Sequence, residues 1–279
     1  MKISLLKYSL CLSVLSLLTA CSSTEVTSDD HDVGVPLTVC ANIEGTRAAI
    51  TGNTFAKGDS IGIFAVNADG NEYHYGSMNM KALCSEGNVC SFAEGSVYLM
   101  SAPATVYAYY PYARTNSTTT APIDIAPDAT GSQTDFLYGS GNASVNCVQP
   151  VSSITFHHAL ARLTLSILRS KTGTGNGYLT DMTLCNLSPA TALSLQGNMD
   201  IRTGTITPVT DTYATLALDV KKTLSTTVPV TVDAMLIPVT IDKNVELVLN
   251  IDNRFYRITL PTLTLVAGKQ TVLPINVDF

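Results

Sequence analysis

The residues able to move protons or hold metals are few in this sequence, and their spacing decides what they can do. There are four histidines. His31 sits in a polar acidic stretch, His74 lies among tyrosines, and His157 and His158 are adjacent in an apolar, β-branched run. Neighbouring residues of a strand point to opposite faces, so His157 and His158 do not make a two-histidine ligand pair; packed or surface imidazoles are expected. Cys40, Cys147 and Cys185 are isolated, with no CxxC pair and no histidine at ligand spacing, which argues against zinc. No GxSxG elbow, HExxH helix, P-loop or paired-carboxylate motif stands out. Gly173-Thr174-Gly175-Asn176-Gly177 has the glycines of a phosphate cradle, but it falls between two strand-like runs without a helix N-terminus to supply dipole and amides. It reads as a flexible loop. No catalytic residue, metal or cofactor is expected, and the chain does not read as an enzyme.

Two cysteine positions carry chemistry of another kind. Cys84 and Cys90 flank the turn-like Ser85-Glu86-Gly87-Asn88-Val89. A small disulfide loop is one reading and two unpaired thiols the other, since the Cα separation that a bridge needs is not written in the sequence. Cys21 ends a different pattern: Lys2 and Lys7, an apolar run from Tyr8 to Leu18, then Leu18-Thr19-Ala20-Cys21. That order reads as an exported signal peptide over residues 1–20. Its apolar run is shorter than the roughly twenty residues of a spanning helix. The Leu-x-Ala-Cys box resembles the bacterial lipobox, in which the cysteine thiol is acylated and becomes the mature N-terminus; plain cleavage after Ala20 is the alternative. Lipid on Cys21 would tether the chain to a membrane. Ser22 to Asp32 is a solvated tether, polar and acidic, without hydrophobic periodicity.

Composition bounds the rest. The signal holds two of the sixteen basic residues and none of the twenty-two acidic ones, leaving the mature chain at a net charge of about −8. Nucleic acid is therefore not an expected partner. Only 14% of residues are charged while Thr, Ser, Val, Leu and Ala dominate, a mixture suited to half-buried strands. The remaining length suits two domains, each with its own core.

The elements that must position these residues read as strands throughout. Short β-branched runs alternate with Gly, Pro, Asn and Asp from Val35 onward: Val35 to Ile43, Ser60 to Asn67, Thr105 to Tyr110 and Gln133 to Tyr138. Thr115 to Pro122 reads as loop, and Val148 to Ser152 as a proline-containing connector at a domain boundary. In Ser153 to Leu168, the spacing of Leu163, Leu165 and Ile167 settles the latter part as strand. Tyr178 to Leu187, Tyr213 to Val220, Val228 to Val239, Val245 to Ile251, Phe255 to Leu260 and Thr271 to Val277 follow, with a tight hairpin expected at Ile251-Asp252-Asn253-Arg254-Phe255. The expected fold is all-β, two mainly antiparallel sandwiches: 48–147, completed by a first strand within 21–47, and 148–279.

Tyr107, Tyr109, Tyr110 and Tyr112 cluster, with Tyr73 and Tyr75 nearby. They suit either cross-strand packing, which is favoured, or a stacking platform for sugar rings, with Tyr109 and Tyr112 as contacts to a glycan or host-surface ligand. Thr46-Arg47-Ala48 follows the first strand, and an exposed Arg is a substrate for Arg-specific proteases. Cutting between Arg47 and Ala48 would release the lipidated strand as a propeptide and leave a sandwich with unpaired edges that demand a replacement strand.

Several segments in order resemble the fimbrillin family, the lipoprotein pilus subunits of Bacteroidetes also called type V pilins. They are the lipobox at Cys21, Thr46-Arg47-Ala48, the run from Phe55 to Phe64, Tyr109-Tyr110-Pro111-Tyr112, Asp135-Phe136-Leu137-Tyr138, Phe156 with His158 to Leu163, Leu236-Ile237-Pro238-Val239 and Ala267-Gly268-Lys269-Gln270. The resemblance implies two tandem transthyretin-like β-sandwich domains, export to the outer membrane and then the cell surface or pilus, and cleavage after Arg47. A strand from another pilus subunit would then fill the vacated groove. Head-to-tail, open assembly gives fibres.

Two departures from the family pattern stand out. Phe55 replaces a common Trp, and the sequence stops at Phe279 without the further C-terminal segment of many stalk subunits. The second departure points to a tip or accessory pilin. The alternative is a surface lipoprotein that binds glycan or host ligand without polymerising. Asp59-Ser60-Ile61 also resembles an O-glycosylation triplet, with burial of Ser60 at a strand start as the competing reading.

Overall fold

Strand pairing organises the protein in the computed structural model, which describes residues 34–44, 54–85, 88–141 and 144–279; among the described residues there is no helix. The signal segment 1–20, Cys21, Arg47 and Ala48 lie outside the described residues. The first half contributes β1 (Val35–Pro36), β2 (Thr38–Ile43), β3 (Ser60–Val66), β4 (Met80–Cys84), β5 (Val89–Phe92), β6 (Tyr98–Leu99), β7 (Thr105–Tyr110), β8 (Thr120–Asp124), β9 (Leu137–Ser140) and β10 (Val151–His158). Seven of them close on themselves in the order β10-β2-β5-β4-β3-β7-β9, sealed by the β9–β10 pair. Period-two alternation sends Val39, Ile61, Ile63, Val106, Ile154 and Phe156 into one enclosed core.

Beyond Ala159-Leu160 come β11 (Ala161–Arg169), β12 (Tyr178–Asn186), β13 (Gln196–Asp200), β14 (Ile206–Pro208), β15 (Thr215–Thr223), β16 (Val230–Leu236), β17 (Val239–Ile241), β18 (Val245–Ile251), β19 (Arg254–Thr259), β20 (Leu263–Leu265) and β21 (Gln270–Val277). The sheet β16-β11-β21 and the sheet β15-β12-β18-β19 enclose a second core, in which Leu163 and Leu165 meet Leu184 and Leu247. This is the sandwich arrangement, with inner faces apolar and outer faces solvated. The expected hairpin joins β18 to β19: Asp252 and Asn253 take φ of 50° and 62°, the left-handed pair that a two-residue type I′ turn requires.

The pairing is mainly antiparallel, but β2 runs parallel to β10 and β11 parallel to β21. Thr115 to Pro122, expected to be loop, instead leads into β8, which pairs with β13 of the second half. Pro122 is tolerated because β8 is the edge of the β14-β13-β8 sheet. This small sheet lies against the barrel's outer face through a third cluster of Phe64, Tyr109, Ala121, Ile123, Met199 and Ile201. That layer explains why β3 is buried almost along its whole length: Ile61, Ile63 and Ala65 belong to the barrel core, while Phe64 belongs to the outer cluster. Strand β10, beyond the expected boundary at residue 148, pairs within the barrel. Gly34 to Phe279 together form one compact unit.

Two further contacts join the halves. Gln133 donates from Nε2 to the carbonyls of Ile125 (2.7 Å) and Met235 (2.9 Å) and accepts the Met235 N–H at 2.8 Å. Its amide thus substitutes for a backbone unit at the edge of β16. The Tyr138 ring from β9 lies on Gly204, where a Cβ would fall 2.0 Å from the ring, and Gly204 has φ of +70°. Glycine is needed there for both reasons.

Candidate functional site

Strand β2 is inserted between β5 and β10. Val39 and Ala41 point inward and are 0% exposed, Leu37 before them is buried, and Cys40 and Asn42 turn outward. Burying Leu37 and Val39 contributes about 1.5–3 kcal/mol each. The segment is held on both sides: Ala41 N–H donates to the Asn88 carbonyl at 2.7 Å, Glu44 N–H to the Phe156 carbonyl at 2.8 Å, and Leu37 N–H to the Val97 carbonyl at 2.8 Å. At its far end the Glu44 carboxylate lies 2.5 Å from Nδ1 of His157, and Asn88 donates to the Asn42 side chain at 2.8 Å. Withdrawing this strand would uncover two facing ladders, on β5 and β10, and the core between them. Such a slot takes a strand, with pockets at alternate positions.

The walls of this slot are built differently. Cys84 and Cys90 are directly opposed across β4 and β5 and joined by a disulfide, with both sulfurs on the barrel's inner side. On the other wall, His157 and His158 face opposite ways, as strand geometry demands. His157 meets Glu44, while the buried His158 ring places Nδ1 2.7 Å from Asp135. Phe55 belongs to the same core, packing edge-on against Phe156 at 5.0 Å and tilted against Tyr110 at 5.5 Å.

The tyrosines do not form one platform. Tyr109 is 1% exposed beneath the outer sheet, and its ring crosses β3 at Gly62, where a Cβ would sit 2.0 Å away. Its hydroxyl is within 2.8 Å of Asn79 Oδ1, and Ala113 N–H donates to it at 3.0 Å. Burial pushes its phenol above the ordinary pKa despite these hydrogen bonds. Tyr109 is thereby committed to packing and has almost no surface for a ligand. Tyr112 is half-buried at a cleft, with the Lys81 ammonium 5.6 Å from its ring centroid. Tyr73 is spent on a loop clamp, donating to the Ala102 carbonyl at 2.5 Å and accepting the Met100 N–H at 3.0 Å.

The roles of Asp135 and Gln133 escape sequence reasoning because their partners, His158 and Met235, lie elsewhere in the chain. Among the described residues no group of three or more His, Cys, Asp or Glu is placed to hold a metal.

A family model described as fimbrillin-like matches residues 46–278. Among solved structures, a candidate cell-adhesion protein from Bacteroides ovatus is similar at 20% identity and a TM-score of 0.66, over 88% of this chain and 93% of that one. A second, from Bacteroides uniformis, has 19% identity and a TM-score of 0.65, over 90% of this chain and 94% of that one. A fimbrial protein from Bacteroides vulgatus has 12% identity and a TM-score of 0.52, over 86% and 95%. At these identities the likeness establishes the fold. No curated protein matches.

Proposed function

Because the chain belongs to the fimbrillin-like family, we propose that it is a non-enzymatic structural subunit of a cell-surface pilus, exported as a lipoprotein on Cys21 and matured by Arg-specific cleavage between Arg47 and Ala48. The observation that carries this reading is the placement of β2. A short strand just upstream of Arg47 completes a barrel, so one cut in the chain after it turns a covalent part of the fold into a replaceable one. Another subunit's strand then occupies the slot and regains the ladders on β5 and β10.

A tip or accessory place is the finer part of the proposal. Its support is that β21 is engaged along β11 rather than offered: Arg162 through Arg169 pair with Gln270 through Val277. After that, the Phe279 ring packs under the Arg169 guanidinium and against Tyr256. The accompanying proposal of two domains, 48–147 and 148–279, draws support from the two separate apolar cores of the barrel and the sandwich.

The test is direct. The purified chain treated with an Arg-specific protease should lose its first 47 residues and form oligomers, and Arg47→Ala should do neither. Maturation unaffected by Arg47→Ala, together with no polymer from the cut chain, overturns the mechanism.

A further inference from the structure

A cleft of about 400 Å³ opens where the loop after β7 meets the start of β4 and the end of β5, lined by Asn79, Met80, Lys81, Glu94, Tyr112 and Arg114. Its size lies within the range of small-molecule sites, about 300–1,000 Å³. Its shape is held from behind. The Asn79 amide donates to the Ala113 carbonyl at 3.0 Å and its carbonyl faces the Tyr109 hydroxyl at 2.8 Å, while Tyr112 N–H donates to the Ser60 carbonyl at 2.9 Å. The cleft therefore stands on the packed Tyr109 corner, not on a free loop.

Its charge is unusual for this protein. In a chain with a formal net charge of −6, two cations, Lys81 and Arg114, converge on one cleft, and neither has a carboxylate partner among the described residues. Lys81 lies near the Tyr112 ring, which leaves its charge available to a ligand while orienting it. Guanidinium recognises carboxylate through two parallel N–H bonds, and an aromatic side chain offers an apolar body beside it. Glu94 in the same cleft disfavours a plain anion and accepts hydrogen bonds from hydroxyls.

The geometry points to a binding site for a carboxylated sugar residue, with Arg114 and Lys81 on the carboxylate, Tyr112 against the apolar face of the ring and Glu94 on its hydroxyls. This inference holds whether or not the chain polymerises, so it is tested on the full, uncut chain.

The probes are a hyaluronan tetrasaccharide and sialyllactose, with chitotetraose and lactose as neutral counterparts, followed by calorimetry and ligand-observed NMR. At least one acidic probe should bind while its neutral counterpart does not. Arg114→Ala should weaken binding by about tenfold or more, the scale of a lost charge-assisted hydrogen bond. Tyr112→Ala should do the same, and Tyr112→Phe should retain affinity because the ring is kept. All three variants should unfold at the parent's denaturant midpoint. Absence of binding by both acidic probes to about 10 mM overturns the inference, since a specific site should exceed that affinity. So does equal binding of the neutral sugars, full competition by inorganic phosphate at equal concentration, or indifference to Tyr112→Ala.

Discussion

Val39 and Cys90 face each other across the β2–β5 ladder, so the strand that fills the barrel meets the disulfide-linked wall at the bridged cysteine itself. The wall is held together independently of the strand: β4 and β5 pair with each other and are covalently joined, whether or not β2 is present. A disulfide at this point keeps the β5 edge in place as a template for strand pairing.

Replacing both Cys84 and Cys90 by Ser should lower stability by about 2 kcal/mol, the loop-entropy value for so short a closed segment. Urea midpoints with and without reductant check this: reductant should shift the parent to the level of the double variant and leave the variant unchanged. Amide exchange should rise in β5 and in its neighbour β2.

Apolar burial, rather than the terminal His157–Glu44 contact, should hold the N-terminal strand. Leu37→Ala removes a buried side chain and should cost about 2–3 kcal/mol. His157→Ala breaks a contact whose two side chains are 42% and 61% exposed, and should cost under about 1 kcal/mol. Hydrogen exchange across residues 37–44 separates the two, with general loss of protection for Leu37→Ala and loss confined to the Glu44 end for His157→Ala.

Gly204→Ala should destabilise the contact between the halves by about 1–3 kcal/mol, because it combines a strained left-handed backbone with a collision against the Tyr138 ring. Differential scanning calorimetry reads the loss. A cooperative single transition in the parent that separates into two in the variant would identify this contact as what couples the barrel to the sandwich.

Gln133→Ala should leave the Met235 N–H without its side-chain partner and cost about 1–3 kcal/mol. The Met235 amide should exchange faster in the variant, while amides in the β18–β19 hairpin should not change.

The Asp252 carboxylate accepts the backbone N–H groups of Tyr178 at 3.0 Å and Gly177 at 2.8 Å, and these bonds, led by that from Tyr178, hold it below the usual carboxylate pKa. A folded-state pKa below the unfolded one adds stability above the unfolded value and loses it as pH falls through the folded one. Asp252→Asn should therefore melt below the parent at neutral pH, with the gap closing as pH falls below about 4, the ordinary aspartate value. Thermal midpoints across that range check the sign.

By itself the sequence determined what depends on neighbours in the chain. The continuous apolar run Ser60–Val66 and the alternation along Thr105–Tyr110 and Val245–Ile251 made the chain all-β, and the opposite facing of His157 and His158 followed from the period of two. The Asp252-Asn253 turn was equally legible, because two residues suffice to reverse a hairpin. Tertiary structure alone decided which edges met. Strand β8 hides in a Thr- and Pro-rich stretch because its buried face exists only once β13, distant in the chain, lies beside it. Tyr109 resembles its neighbours in sequence but is buried by a sheet drawn from both halves, while Tyr112, three residues on, is left at a cleft. Pairing partners and the covering of an outer face are long-range facts, and no local period records them.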